Sequence, residues 1–126
     1  MRQRVAFLIL AALVAVNGPL WAADNPVGTW AGTTEVPDQG ADAVTLTITK
    51  SDGVFAGTMT DSLGVVAAEA LRSIEFAEGV LTFGFSLTDG TAMKMRLTIT
   101  GDKMAGEWQH PEGSAGAITF ERKPGK

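Results

Sequence analysis

The chain has 126 residues and a formal net charge of −4, with 45% hydrophobic and 19% charged residues. This length suits one domain, and the composition is neither that of a disordered polar chain nor that of an all-hydrophobic membrane protein. The sequence has no cysteine and one histidine, which excludes disulfides and thiol catalysis and argues against a zinc site. No cofactor is predicted, and the net negative charge argues against a nucleic-acid partner.

The first residues have the pattern of a secretory signal peptide. A basic start precedes an apolar run from Val5 to Val16, and small residues follow at Ala22-Ala23. The run is shorter than the roughly 20 residues that span a bilayer, which favours a cleaved leader over an uncleaved N-terminal anchor. We predict a signal peptide over 1–23, a single domain over 24–126, a periplasmic or secreted location, and no membrane association after cleavage.

From Val27 onward, short segments alternate apolar and polar residues between turn signals such as Ser51-Asp52-Gly53. This period of two is typical of strands with one buried face. The pattern predicts eight strands, over residues 27–35, 43–50, 54–61, 66–76, 80–87, 91–100, 104–110 and 115–122. The fourth is the least regular, because residues 67–72 are also compatible with a helical turn and the alternation breaks between Leu71 and Ile74, which indicates a bulge.

The short connections favour an all-β fold, an eight-stranded antiparallel up-and-down β-barrel, because closure leaves no exposed strand edge. A sandwich of two four-stranded sheets is the alternative. The residues predicted to face the interior are Leu46, Ile48, Phe55, Met59, Ile74, Phe76, Leu81, Phe83, Phe85, Met93, Met95, Met104, Trp108, Ile118 and Phe120. Eight strands enclose a space that side chains just fill or that holds one small ligand, and these bulky side chains favour a filled or nearly filled interior.

Two short motifs resemble the lipocalin and avidin-like (calycin) pattern: Val27-Gly28-Thr29-Trp30 at the start of the first strand and Thr119-Phe120-Glu121-Arg122 at the end of the last. The predicted mature domain is also similar to the small lipocalin-like modules of secreted bacterial proteins. The resemblance implies that Trp30, beside Gly28, plugs one end of the barrel and that Arg122 packs across its ring. Biotin binding is not expected, because Ala31 stands where biotin-binding members carry an asparagine and the chain has no tyrosine.

The candidate catalytic residues form no recognisable arrangement. His110 is the only imidazole, and residues 113–116 do not meet the Gly-x-Ser-x-Gly spacing of a nucleophile elbow. Six aspartates are predicted at turns, where such side chains usually accept hydrogen bonds from the backbone: Asp38, Asp42, Asp52, Asp61, Asp89 and Asp102. We therefore expect neither enzyme activity nor a metal site.

The leading hypothesis is an exported, non-enzymatic lipocalin-like barrel that binds a small apolar ligand at its open end, because methionine and aromatic side chains form adaptable apolar pockets. The predicted ligand-binding residues are Phe83, Phe85, Met93, Met95 and Trp108. The alternative is a protein-interaction or inhibitor-type accessory barrel that contacts a protein partner through the loops over residues 37–42 and 61–69.

Overall fold

The computed structural model describes residues 25–124, in which eight strands and no helix occur. The strands are β1 (Gly28–Val36), β2 (Gly40–Ser51), β3 (Val54–Asp61), β4 (Arg72–Ala77), β5 (Val80–Ser86), β6 (Ala92–Thr100), β7 (Lys103–Gln109) and β8 (Ala115–Arg122). All eight belong to one antiparallel sheet, in the order β3-β2-β1-β8-β7-β6-β5-β4. The predicted signal peptide lies outside the described residues.

The first and last strands pair with each other and curl the sheet into a barrel. Trp30 lies opposite Arg122 and Thr34 opposite Ile118 along the β1–β8 ladder. This pairing confirms the predicted barrel, and the two-sheet sandwich is wrong because β1 pairs with both β2 and β8 in a single sheet. The sheet has two edge strands, β3 and β4, which the curvature of the sheet brings next to each other.

The barrel remains slightly open between β3 and β4. Across this seam the described residues share one isolated bridge, Thr58 with Ala70, and a 2.9 Å hydrogen bond from the Leu71 N–H to the Gly57 carbonyl. The barrel is therefore nearly closed, and β3 and β4 are the two neighbouring strands that are only weakly paired.

The fourth strand was predicted over 66–76 but spans only Arg72–Ala77. The preceding residues, 62–71, form an irregular segment that we call the strap. It is not a strand because its N–H groups donate to scattered acceptors. Those of residues 63, 65 and 66 donate to the carboxylates of Asp42 and Asp61, that of Ala67 donates to a carbonyl of β5, and that of Leu71 donates to a carbonyl of β3. No continuous strand ladder can form along it. The expected bulge is present, since the β4–β5 register shifts between Arg72 and Glu75.

The interior is filled in the half of the barrel where β1 begins. Leu46, Leu81 and Leu97 are fully buried there. Of the residues predicted to face inward, four are only half-buried and pack against the core: Phe55, Ile74, Phe76 and Trp108. Three of these four lie on β3 and β4, where the missing strand pairing leaves their side chains partly uncovered.

Trp30 and Arg122 close this filled end. The buried indole donates through Nε1 to the Pro26 carbonyl at 2.9 Å, and the Arg122 guanidinium carbon lies 4.2 Å from the centre of the ring. The same guanidinium donates to the carbonyl of Val27 at 2.7 Å and binds the Asp102 carboxylate at 2.9 Å. A stacked cation held by hydrogen bonds seals the barrel at this end.

Candidate ligand-binding site

A cavity of about 320 Å³ opens at the opposite end of the barrel. It lies between the β1–β2 turn, the strap, and the loops that join β5 to β6 and β7 to β8. Its apolar lining consists of Val36, Pro37, Val44, Met59, Val65, Val66, Phe85, Leu87, Met93, Met95, Trp108 and Ile118. This volume is at the lower end of the range of about 300–1,000 Å³ that is typical of small-molecule sites.

Four of the five predicted ligand-binding residues line this cavity: Phe85, Met93, Met95 and Trp108. Phe83 does not line it. On β5, Phe83 lies one inward-facing position further from the mouth than Phe85, and it packs against that ring with centroids 6.2 Å apart. Its side chain, 3% exposed, therefore supports the cavity wall instead of facing the cavity.

The position of Trp108 follows from the strand opposite. Trp108 on β7 pairs with Gly116 on β8, and a Cβ atom at Gly116 would overlap the indole ring. The missing side chain lets the ring lie flat against the β8 backbone, as aromatic residues often do over strand glycines. The orientation of the ring is therefore set by β8 as well as by Trp108 itself.

A hydrogen-bond chain fixes the polar edge of the same indole. Trp108 Nε1 donates to Thr34 Oγ1 at 2.9 Å, and that hydroxyl donates to the Ala117 carbonyl at 2.7 Å. Thr34 is 8% exposed and lines the cavity. The chain links β7, β1 and β8, and it satisfies polar groups that would otherwise be costly to bury.

A buried carboxyl group, Asp42, lies in the cavity wall and was not predicted there. The prediction placed Asp42 in a turn, but it belongs to β2 and its side chain is 2% exposed. The sequence pattern could have predicted this burial. Asp42, Val44 and Leu46 are alternate residues of β2, so their side chains lie on the same face of the strand, which faces the interior. The turn prediction for Asp42 is therefore wrong, because β2 begins earlier than predicted and includes it.

Asp42 lies beside a second carboxyl group, that of Asp61 at the end of β3. Burial, and then the hydrogen bond between the two side chains, raises the pKa of Asp42 above its ordinary value, while the Leu63 N–H lowers it. Asp42 therefore retains its proton to a higher pH than an isolated aspartate would.

Both carboxyl groups hold the strap. Asp42 Oδ1 accepts from Ser62 Oγ at 3.1 Å and from the Leu63 N–H at 2.9 Å. Asp61 accepts from the N–H groups of Val65 and Val66 at 3.0 and 3.1 Å. These four bonds position the two valines, which are half-buried, in the cavity wall.

The strap is also bound on the far side of the mouth. The Thr88 N–H donates to the Val65 carbonyl and the Ala67 N–H donates to the Ser86 carbonyl, each at 2.9 Å. The strap thus crosses from β3 to the end of β5. It also includes most of the predicted contact loop over 61–69, in which Leu63 is 38% exposed.

Two further ionisable side chains line the mouth, Asp89 and His110. Hydrogen bonds from the Thr91 hydroxyl and N–H, at 2.6 and 2.9 Å, lower the pKa of Asp89. His110 Nδ1 accepts from the Glu112 N–H at 3.1 Å. No lysine or arginine is present among the described residues that line the cavity.

Within residues 25–124, no group of three or more histidine, aspartate or glutamate side chains is arranged to hold a metal ion. Over the same range, no helix has the length and apolar character needed to cross a bilayer.

No protein-family model and no curated protein matches the chain. Among solved structures it is similar to a de novo designed fluorescence-activating β-barrel, with a TM-score of 0.56 and 18% identity over 81% of this chain and 97% of that chain. A redesigned β-barrel matches with a TM-score of 0.51 and 15% identity, over 82% and 96% of the two chains. A mutant of the fluorescent protein UnaG matches with a TM-score of 0.49 and 15% identity, over 79% and 97%. At these identities the likeness to the first two structures shows the small β-barrel fold alone.

Proposed function

We propose that this protein is a non-enzymatic, lipocalin-like carrier that binds one small, mostly apolar molecule in the cavity at its open end. The observation that supports this proposal best is the cavity itself, about 320 Å³ in volume, which is lined mostly by apolar side chains at the end of the barrel opposite the Trp30–Arg122 seal. Close packing is the norm in protein interiors, so an apolar space of this size at one end indicates a ligand. The likeness to designed barrels supports the fold on which the proposal relies.

The charges around the cavity favour a neutral or cationic ligand. Asp42 and Asp89 line it, and no lysine or arginine is among its described lining residues. A carboxylate head group would lie near these acids without a cationic partner, and a buried unpaired charge is costly. An alcohol or an ammonium group would instead find acceptors at the polar side of the cavity.

Native mass spectrometry of the mature protein, purified gently and compared with a denatured sample, tests the proposal. A discrete extra mass that disappears on denaturation is expected. Titration with octanol, octylamine and octanoate, followed by calorimetry, then tests the head-group preference, with octanoate expected to bind most weakly. The absence of an adduct together with no binding of any of the three probes would overturn the carrier function.

We also propose that the protein is exported and that residues 1–23 are removed. The proposal is supported by the basic start and the apolar run from Val5 to Val16. The intact mass of the protein recovered from the periplasm or medium is expected to correspond to a chain that begins close to Asp24. A full-length mass in the membrane fraction would show instead that the segment is an uncleaved anchor.

A further inference from the structure

We propose that the wall of the open-end cavity contains a binding site for a soft monovalent metal ion, Cu(I), built from the thioether groups of Met59, Met93 and Met95. The proposal goes beyond the carrier function, because it needs the cavity and its methionines but no organic ligand. It also revises the expectation that the chain has no metal site, since that expectation concerns histidine and aspartate ligands and not thioethers.

The methionines of the barrel are concentrated at this cavity. Four methionines lie among the described residues, and three of them, Met59, Met93 and Met95, line the cavity. The fourth, Met104, lies in the filled half, where most of the buried aliphatic side chains are leucine and isoleucine. The cavity wall is therefore the part of the described barrel in which thioether sulfur is enriched.

Strand geometry directs the three side chains into the same space. Met93 and Met95 are alternate residues of β6, so both face the interior, about 7 Å apart along the strand. Met59 lies on β3, which pairs with β2 on another side of the cavity. A methionine side chain has three rotatable bonds, so methionines on separate strands around one small cavity can converge on a single ion.

The indole ring of Trp108 adds an aromatic face to this wall. Trp108 on β7 lies directly opposite Met95 on β6, and one face of its ring rests on Gly116. The other face is the one available to the cavity, which Trp108 lines. A cation is attracted to the face of an indole ring, so Trp108 is placed to stabilise an ion bound by Met95.

The charges at the cavity favour a cation, and the type of ligand atom selects a soft one. Asp42 and Asp89 line the cavity, and its described lining residues include no lysine or arginine. Calcium and magnesium take sets of oxygen ligands, and zinc takes thiolate, imidazole or carboxylate ligands. Over residues 25–124 no such group of three histidine, aspartate or glutamate side chains is present. Thioethers instead select Cu(I).

His110, at the mouth of the cavity, is not one of the proposed ligands. Its Nδ1 accepts from the Glu112 N–H at 3.1 Å, so in the neutral imidazole the proton lies on Nε2. Neither nitrogen then has a lone pair free for a metal ion. His110 is therefore a control, because it lines the same cavity but lies outside the ligand set.

Silver(I), a soft monovalent ion that is stable in air, is the probe. Mature protein with ¹³C-labelled methionine methyl groups is titrated with silver nitrate in chloride-free buffer and followed by NMR. The methyl signals of Met59, Met93 and Met95 are expected to shift together and to saturate at one equivalent, while the signal of Met104 stays unchanged. Cu(I), added without oxygen, is expected to shift the same three signals.

Leucine substitutions separate the effect of the sulfur atom from that of the side-chain volume. Met59→Leu, Met93→Leu and Met95→Leu keep the apolar volume. Each is expected to weaken silver binding by at least about tenfold, a loss that even changes outside the ligand set of a metal commonly cause. Met104→Leu and His110→Gln are the controls, with wild-type affinity expected. Urea unfolding checks that all five variants are folded.

Three results would overturn the metal site. They are an unchanged methyl spectrum on addition of silver, equal losses of affinity in Met95→Leu and Met104→Leu, and a loss of binding in His110→Gln that the leucine variants do not show. Titration with octanol keeps this result separate from the carrier function. Binding of octanol without silver would remove only the metal site, whereas binding of silver without an organic ligand would remove only the carrier function.

Discussion

At the scale of single residues, the filled half and the cavity use the same side-chain types for different purposes. Met104 is 1% exposed in the filled half, whereas Met95, 2% exposed, lines the cavity. Both are apolar strand residues with the same flexibility, so burial alone does not distinguish them. The two methionines differ in their distance from the open end of the barrel, so they form a matched pair for mutagenesis.

Met95→Ala is expected to enlarge the cavity and to change the affinity for the ligand or for octanol. Met104→Ala is expected to lower the free energy of unfolding by about 2–5 kcal/mol, because a cavity forms in packed surroundings, and to leave the affinity unchanged. Calorimetric titration and urea unfolding of both variants measure the two effects. Equal affinity changes in the pair would contradict the location of the site.

Thr34→Val is expected to lower the free energy of unfolding by about 1–3 kcal/mol, because it leaves the Trp108 N–H without its acceptor and removes the hydroxyl that donates to the Ala117 carbonyl. Thr33→Val, on the exposed face of the same strand, is the control and should stay within about 0.5 kcal/mol of the wild type. Urea unfolding compares the two. Similar values for both variants would show that the hydrogen-bond chain does not contribute.

At the scale of elements, neighbouring strands shape each other through complementary large and small residues. The ring of Trp108 on β7 occupies the space above Gly116 on β8, and the ring of Phe120 on β8 occupies the space above Gly32 on β1. These contacts alternate along adjacent strands, so β8 both supports one aromatic residue and supplies another. The strap is positioned differently, because side-chain carboxyl groups accept several of its backbone N–H groups in place of a neighbouring strand.

Gly116→Ala is expected to displace the Trp108 ring toward the cavity and to cost about 1–3 kcal/mol, as overpacking does. The reduced cavity should also weaken ligand binding. Ala117→Ser, on the exposed face of β8, is the control. Urea unfolding and near-ultraviolet circular dichroism follow the change, and an unaltered tryptophan signal in Gly116→Ala would contradict the close contact.

At the scale of the whole molecule, the two ends of the barrel differ in structure. Trp30 and Arg122 seal one end and hold the start of β1 against the end of β8. The other end contains the cavity, the carboxyl pair and the strap. This separation predicts that changes at the sealed end affect stability, while changes at the open end affect binding.

Arg122→Lys is expected to lower the free energy of unfolding by about 1.5–3 kcal/mol, because lysine keeps the charge but loses the planar stacking on Trp30 and the paired donors. Lys123→Arg, at an exposed neighbouring position, is the control. Ligand affinity should be the same in both variants. A loss of ligand affinity in Arg122→Lys without a loss of stability would contradict the prediction that the sealed end affects stability and the open end affects binding.

The alternation of apolar and polar residues determined the strands, the turns and most of the interior, because a half-buried strand must place every second side chain in the core. The same parity placed Phe85, Met93, Met95 and Trp108 inside, where they now line the cavity. The positions of these residues could be predicted from the sequence because side-chain direction in a strand is a local property.

Three features were decided by the tertiary structure. The end of β4 nearest the mouth is replaced by the strap because acceptors distant in sequence take its N–H groups: the Asp42 carboxylate accepts from Leu63, the Ser86 carbonyl from Ala67 and the Gly57 carbonyl from Leu71. Asp42 is buried because β1, β3 and the strap enclose it. The volume and place of the cavity depend on how the side chains of all strands of the described barrel pack together. A local pattern of residues cannot determine them.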